Sequence, residues 1–187
     1  MEAAAPGSAG KAKATVVKGE GGLFKTRSLA DQYKVTRANS GTDTSRSALV
    51  TSLLKGRASP DNLGAVYSVT KEGITITSLT EFTKSLQMFN SSYLLMVLTG
   101  LSKRTIQRRQ QKPAEPLNSE QSARAFVCAK VLEQAIRVIG TPKLAEAWMS
   151  KPAIGLDGRR PIDLLDNAIG TQLVSEFLTR LEYGVYQ

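Results

Sequence analysis

The sequence predicts an all-α fold: a helix-turn-helix DNA-binding domain followed by a small helical domain, behind a disordered basic N-terminus. Three observations carry this. From about residue 78 the apolar residues recur at spacings of three and four. Helix-capping residues stand at regular intervals between those runs. The net charge of +9 is concentrated toward the front of the chain.

The 187 residues are enough for one or two small domains. Residues 1–60 carry ten Lys/Arg against four Asp/Glu, residues 61–117 seven against four, and residues 118–187 eight against eight. A basic front attracts polyanions, of which DNA is the commonest, or merely keeps a tail soluble. Met1 to Gly10 holds no apolar signal core, and the longest apolar run, Tyr93 to Leu98, is too short to span a bilayer. With the lone Cys128 this leads us to expect a cytoplasmic protein without membrane attachment. The chain has no histidine. That excludes Ser-His-Asp and Cys-His catalysis and a His/Cys zinc site. We expect no catalytic residues, no metal, no cofactor and no enzymatic activity.

Residues 1–22 lack a periodic apolar face and are expected to be disordered. In the weakly ordered remainder of 1–60, Ala48-Leu49-Val50 and Leu53-Leu54 suit one short helix, broken at Ser59-Pro60. Ala65-Val66-Tyr67 and Ile74-Thr75-Ile76 read as extended or partly helical. Ser78 with Glu81 looks like a capping box opening a helix with Leu79, Phe82 and Leu86 inward. Asn90 caps a helix carrying Tyr93, Leu94, Val97 and Leu98, and Gly100 ends it. Ser102 caps a third, running to about Gln111 before Pro113 and Pro116. Asn118 with Gln121 opens a long helix to about Ile139, with Val127, Cys128, Val131, Leu132, Ala135 and Ile139 on one stripe. Thr141-Pro142 starts the next, ending near Met149. A short extended pair is expected between residues 152 and 160. Pro161 opens a short helix through Leu164 and Leu165, and the last helix follows Gly170 with Val174, Phe177, Leu178 and Leu181 inward.

The two helices joined through Gly100-Leu101-Ser102 look like a helix-turn-helix. With Ile106 buried, Arg104, Gln107, Arg108 and Gln111 point outward, where a major-groove helix places its base readers. Lys103, Thr105 and Arg109 are better placed for phosphates. Thr99 and Arg109 depart from the usual pattern, since both positions are often apolar.

Further on, Trp148, Pro152, Leu156, Gly158, Pro161, Leu164-Leu165, Gly170 and the ending Glu182-Tyr183-Gly184-Val185-Tyr186 resemble the toxin-binding domain of Xre/MbcA/ParS-type antitoxins. Arg104-Thr105-Ile106-Gln107-Arg108-Arg109 is similar to that family's Xre-like helix-turn-helix, so the resemblance covers about residues 78–187. It implies three parts: the extension 1–60, a helix-turn-helix domain over 61–117 and a toxin-binding domain over 118–187. It further implies an antitoxin of a type II toxin–antitoxin system. Its partner would be a RES-domain, ADP-ribosyltransferase-like toxin acting on NAD⁺, and it would repress its own operon through operator DNA, expectedly as a homodimer. The alternative is a stand-alone helix-turn-helix transcriptional regulator.

On the residues themselves, Trp148 is expected as a core anchor, Cys128 as an inert core thiol, and Asp163 and Asp166 as solvated helix charges. Arg159 and Arg160 either pair with acidic groups of a partner or face solvent. After Leu181 the last helix loses its apolar period. Tyr183, Gly184, Val185, Tyr186 and Gln187 are expected to project and enter the toxin's NAD⁺ pocket, as opposed to folding back on their own core.

Overall fold

In a computed structural model the residues described are 48–86 and 89–184. Residues 1–22, expected to be disordered, lie outside them, as do Val185, Tyr186 and Gln187. Nine α-helices follow one another within the described residues: α1 (Ala48–Leu53), α2 (Leu63–Glu72), α3 (Ile76–Lys84), α4 (Ser91–Thr99), α5 (Lys103–Gln110), α6 (Ser119–Ile139), α7 (Pro142–Met149), α8 (Pro161–Leu164) and α9 (Ala168–Tyr183). The chain is all-helical there, apart from a 3₁₀ turn at Ile154–Leu156 and two isolated bridges, Thr75 with Pro116 and Ala153 with Arg159. The second is the short extended pair expected between 152 and 160.

Helix α6 is the axis of the fold. Its 21 residues touch α1, α2, α4, α7 and α9. A capping box starts it: Asn118 accepts from the Gln121 N–H while the Gln121 side chain returns to the Asn118 N–H. Cys128, Val131, Leu132 and Ala135 are buried as the periodicity requires. Val127, expected on the same stripe, is exposed, and Ile139 is only half-buried. Ser122, Ala125, Phe126, Ala129 and Val138 are buried instead. A helix surrounded by five others buries a broad arc, and a stripe drawn for one partner misplaces its edges.

Several predicted boundaries move. The cap of α3 is Thr75, not Ser78; its hydroxyl accepts from the Ser78 N–H, and Ser78 is itself buried. Starting three residues earlier brings both Ile76 and Leu79 into the core. Residues 63–72 are fully helical, with Asn62 capping through the Ala65 N–H, and within Ile74-Thr75-Ile76 Thr75 is extended and Ile76 opens α3. Helix α9 begins at Ala168 under an Asn167 cap, so Gly170 lies inside its first turn. A Cβ at Gly170 would stand 2.0 Å from the Leu164 carbonyl oxygen, so only glycine lets α9 pack this closely on α8.

The short helix expected near Ala48–Leu54 is α1, and it places Val50, Leu53 and Leu54 in the core. One continuous set of buried side chains runs from these through Leu79, Phe82, Leu94 and Leu98 to Trp148, Ile162, Val174 and Leu178. Helices α4, α5 and α9 are therefore held on a shared core.

Candidate functional site

Two surfaces carry the chemistry. The first is α4, its turn and α5. Asn90 caps α4 by accepting from the Ser92 and Tyr93 N–H groups. Gly100 ends the helix in the left-handed conformation, φ 70°, and donates its N–H to the Met96 carbonyl. Thr99, where an apolar residue is more usual, is buried with its hydroxyl satisfied. It donates to the Leu95 carbonyl at 2.7 Å and accepts from the Leu101 N–H at 3.2 Å. Ser102 caps α5 through the Thr105 N–H.

On α5 only Ile106 is buried. Lys103, Arg104, Gln107, Arg108 and Gln111 are exposed, and Thr105 is half-buried beside the cap. Arg104, Thr105, Gln107, Arg108 and Gln111 line one shallow depression of about 400 Å³. Arg109 differs from the others: its guanidinium donates to Glu115 and to the Pro116 carbonyl, both at 3.1 Å, holding the segment that follows α5. That is how an arginine occupies a position usually filled by an apolar side chain. The first turn of α5 carries Lys103 and Arg104 and no acid, although a helix N-terminus disfavours positive charge.

The second surface is built by α7, α8 and α9. Thr141 caps α7 and Pro142 occupies its first position. Trp148 is a buried anchor, stacked on Phe177 with centroids 6.0 Å apart and planes 2° from parallel. The Ala153 N–H donates to the Arg159 carbonyl, closing a loop that presents Ile154, 68% exposed. On the outer face of α9, Ile169 (70% exposed), Leu173 and Tyr183 (76% exposed) stand at helical spacing around Glu176 and Arg180. Large apolar groups left in water in one row mark an interaction surface. Gly184 ends α9 in the left-handed conformation.

Arg159 is exposed. Arg160 is engaged within the chain: Nε and Nη2 donate to Asp163 at 2.6 and 2.9 Å. Asp163 is not a bare solvated charge, since it also accepts from the Tyr93 hydroxyl at 2.6 Å. Partial burial pulls its carboxyl upward, but Arg160 and Tyr93 outweigh this and hold the pKa below the usual carboxylate value. Desolvation, with the hydrogen bond to Asp163, pushes Tyr93 up to about 12. Burial pushes the Cys128 thiol up to about 11. Among the described residues no group of acids and cysteine is placed to hold a metal ion, and no helix is long and apolar enough to cross a membrane.

Residues 134–184, spanning the end of α6 to the end of α9, match the model of the antitoxin Xre/MbcA/ParS C-terminal toxin-binding domain. This segment is therefore similar to the toxin-binding domain of Xre/MbcA/ParS antitoxins. Similar proteins agree. A Prs ADP-ribosylating antitoxin of Sphingobium sp. is 28% identical over 140 residues, 70% of this chain and 84% of that protein. An antitoxin Xre of Yersinia enterocolitica is 34% identical over 47% of this chain and 60% of its own length. One from Pseudomonas putida is 32% identical over 43% and 50%. The chain thus spans only about half to three-fifths of the two Xre antitoxins. The exposed row on α9 and the Ile154 loop both lie within the residues that match this domain model.

Sequence reasoning did not find Arg124, which reaches three backbone carbonyls, or the Tyr93–Asp163 pair. Their partners lie 27 to 70 residues away, and no local spacing signals such contacts.

Proposed function

We propose that this chain is the antitoxin of a type II toxin–antitoxin system, with a RES-domain, ADP-ribosyltransferase-like toxin acting on NAD⁺ as its partner. In this reading the outer face of α9 and the Ile154–Arg160 loop dock the toxin, and the chain end, from Tyr183 in the last turn of α9 to Gln187, blocks the NAD⁺ site. The observation that carries it is the coincidence of the toxin-binding family match with an exposed apolar row on α9. The antitoxin itself contributes no catalysis. Arg159, exposed and with no ion pair among the described residues, faces acidic groups of the toxin, while Arg160 shapes the loop through Asp163.

A second activity rests on α5. Lys103, Arg104, Thr105, Gln107, Arg108 and Gln111 would read operator DNA as the second helix of a helix-turn-helix, with the chain acting as a homodimer and repressing its own operon. The uncompensated charge of the α5 first turn supports this. The same feature would serve a stand-alone regulator, and co-expression with the product of the neighbouring gene separates the two. An antitoxin is recovered as a complex and relieves growth arrest. Recovery of the chain alone, with growth arrest persisting, would reject the toxin-binding reading.

A further inference from the structure

Arg124 stands in the second turn of α6, yet its side chain serves two other helices. Nε donates to the Val97 carbonyl at 3.1 Å, Nη1 to the Asp166 carbonyl at 2.6 Å and Nη2 to the Leu165 carbonyl at 3.2 Å. The Val97 carbonyl is among the last four of α4, which have no partner inside their own helix. The Leu165 and Asp166 carbonyls follow the end of α8. One delocalised cation therefore sits at the C-terminal ends of two helices, where the helix dipoles favour positive charge. The turn between α4 and α5 rests directly on it: a Cβ on Gly100 would come within 3.4 Å of the guanidinium.

A second link joins the same two helices. Tyr93, in the first turn of α4, bonds Asp163 on α8, and Asp163 in turn holds Arg160. Helix α4 is thus fastened to the α8 segment near both of its ends. Helix α5 follows α4 after only Gly100, Leu101 and Ser102, so its aim depends on how α4 is held.

We infer that Arg124 is a positioning residue that couples the α4–α5 pair to the segment Arg159–Asp166, so that DNA on α5 and a protein on that segment change each other's affinity. This rests on the reading that α5 meets DNA. The physical route is short. A partner that draws Arg160 away from Asp163 alters the acceptor of the Tyr93 hydroxyl. A shift of α8 also moves two of the three carbonyls that fix the Arg124 fork. The third is the end of α4, so the displacement is passed to the turn before α5. By linkage the effect runs equally in the other direction. Lysine cannot replace the fork, because one ammonium does not span three carbonyls in this planar arrangement.

The test is amide hydrogen exchange on the full chain, with and without a duplex covering the region upstream of its own gene, for wild type, Arg124→Lys and Tyr93→Phe. In wild type the duplex should slow exchange over 103–111 and, by coupling, over 159–167 about fivefold or more. Arg124→Lys should lose the slowing at 159–167 and keep it at 103–111, and Tyr93→Phe should reduce it. If Arg124→Lys does not fold, seen as lost protection throughout α6, Tyr93→Phe carries the comparison. Protection at 103–111 with none at 159–167 in wild type overturns the coupling. So does equal slowing at 159–167 in wild type and in the folded variants. Absence of protection at 103–111 in wild type overturns the DNA reading itself, and the coupling with it.

Discussion

The hydroxyl of Tyr93 donates to the Asp163 carboxylate at 2.6 Å across 70 residues of sequence. It joins the first turn of α4 to α8, and hence a candidate DNA surface to the toxin-binding family domain. The ring of Tyr93 stands at the rim of α4, 36% exposed, with its hydroxyl on Asp163.

Tyr93→Phe removes this bond without changing the ring. It should lower unfolding stability by about 1 kcal/mol, less than the usual worth of a bond to a charged acceptor because Asp163 is partly in water. Desolvation and, after it, the bond to Asp163 favour protonated Tyr93, whose pKa is raised from 10.0 to about 12. Its contribution is complete below pH 10 and is lost as pH rises through about 12. Asp163 works oppositely, its lowered pKa giving stability above the ordinary carboxylate range that is lost as pH falls through the lowered value. A tyrosinate absorbance titration should show a late-titrating component in wild type that Tyr93→Phe removes.

How far the sequence could be read depends on the range of the interactions. The caps at Asn90, Ser102, Asn118 and Thr141 act within three residues, and all four are where local spacing puts them. Ser78 misled because Thr75, three residues earlier, is an equally good cap, and only burial of Ile76 and Leu79 decides between them. Val127 misled because α6 is enclosed by five helices, which no single period describes. The exposed row of α5 was legible, since one buried Ile106 fixes the phase of the helix. That Arg109 and Arg160 are engaged by Glu115 and Asp163 was not, because a charged residue looks the same in sequence whether paired or free.

Gly170→Ala tests the α8–α9 contact. The added methyl meets the Leu164 backbone oxygen, which cannot move without displacing α8. Overpacking of this kind typically costs about 1–3 kcal/mol, and we expect the upper part of that range. Urea unfolding should show a lowered midpoint with an unchanged slope. Wild-type stability would mean that α9 sits further from α8 than described.

Arg104→Ala, Gln107→Ala and Arg108→Ala should each weaken binding to the promoter duplex by about 1–3 kcal/mol where the lost contact is to a base. Lys103→Ala should weaken binding to all sequences alike and flatten its salt dependence. Arg109→Ala should act mainly through stability, since its guanidinium is spent on Glu115 and the Pro116 carbonyl. A titration in which the triple variant of Arg104, Gln107 and Arg108 matches wild type would remove α5 from the DNA surface.

If the α9 face docks the toxin while the segment beyond Gly184 blocks it, one side-by-side measurement separates the two roles. Complex formation and NAD⁺ consumption are followed for the neighbouring gene's product with three chains: wild type, Ile169→Asp/Leu173→Asp, and a chain lacking Val185–Gln187. Both substituted side chains are exposed, so the fold is retained, and the acids should cost the interface at least about 2 kcal/mol each. The double variant should lose the complex, whereas the shortened chain should keep the complex and let NAD⁺ consumption resume. A double variant that binds as tightly as wild type would contradict the docking face, and full inhibition by the shortened chain would contradict the blocking segment.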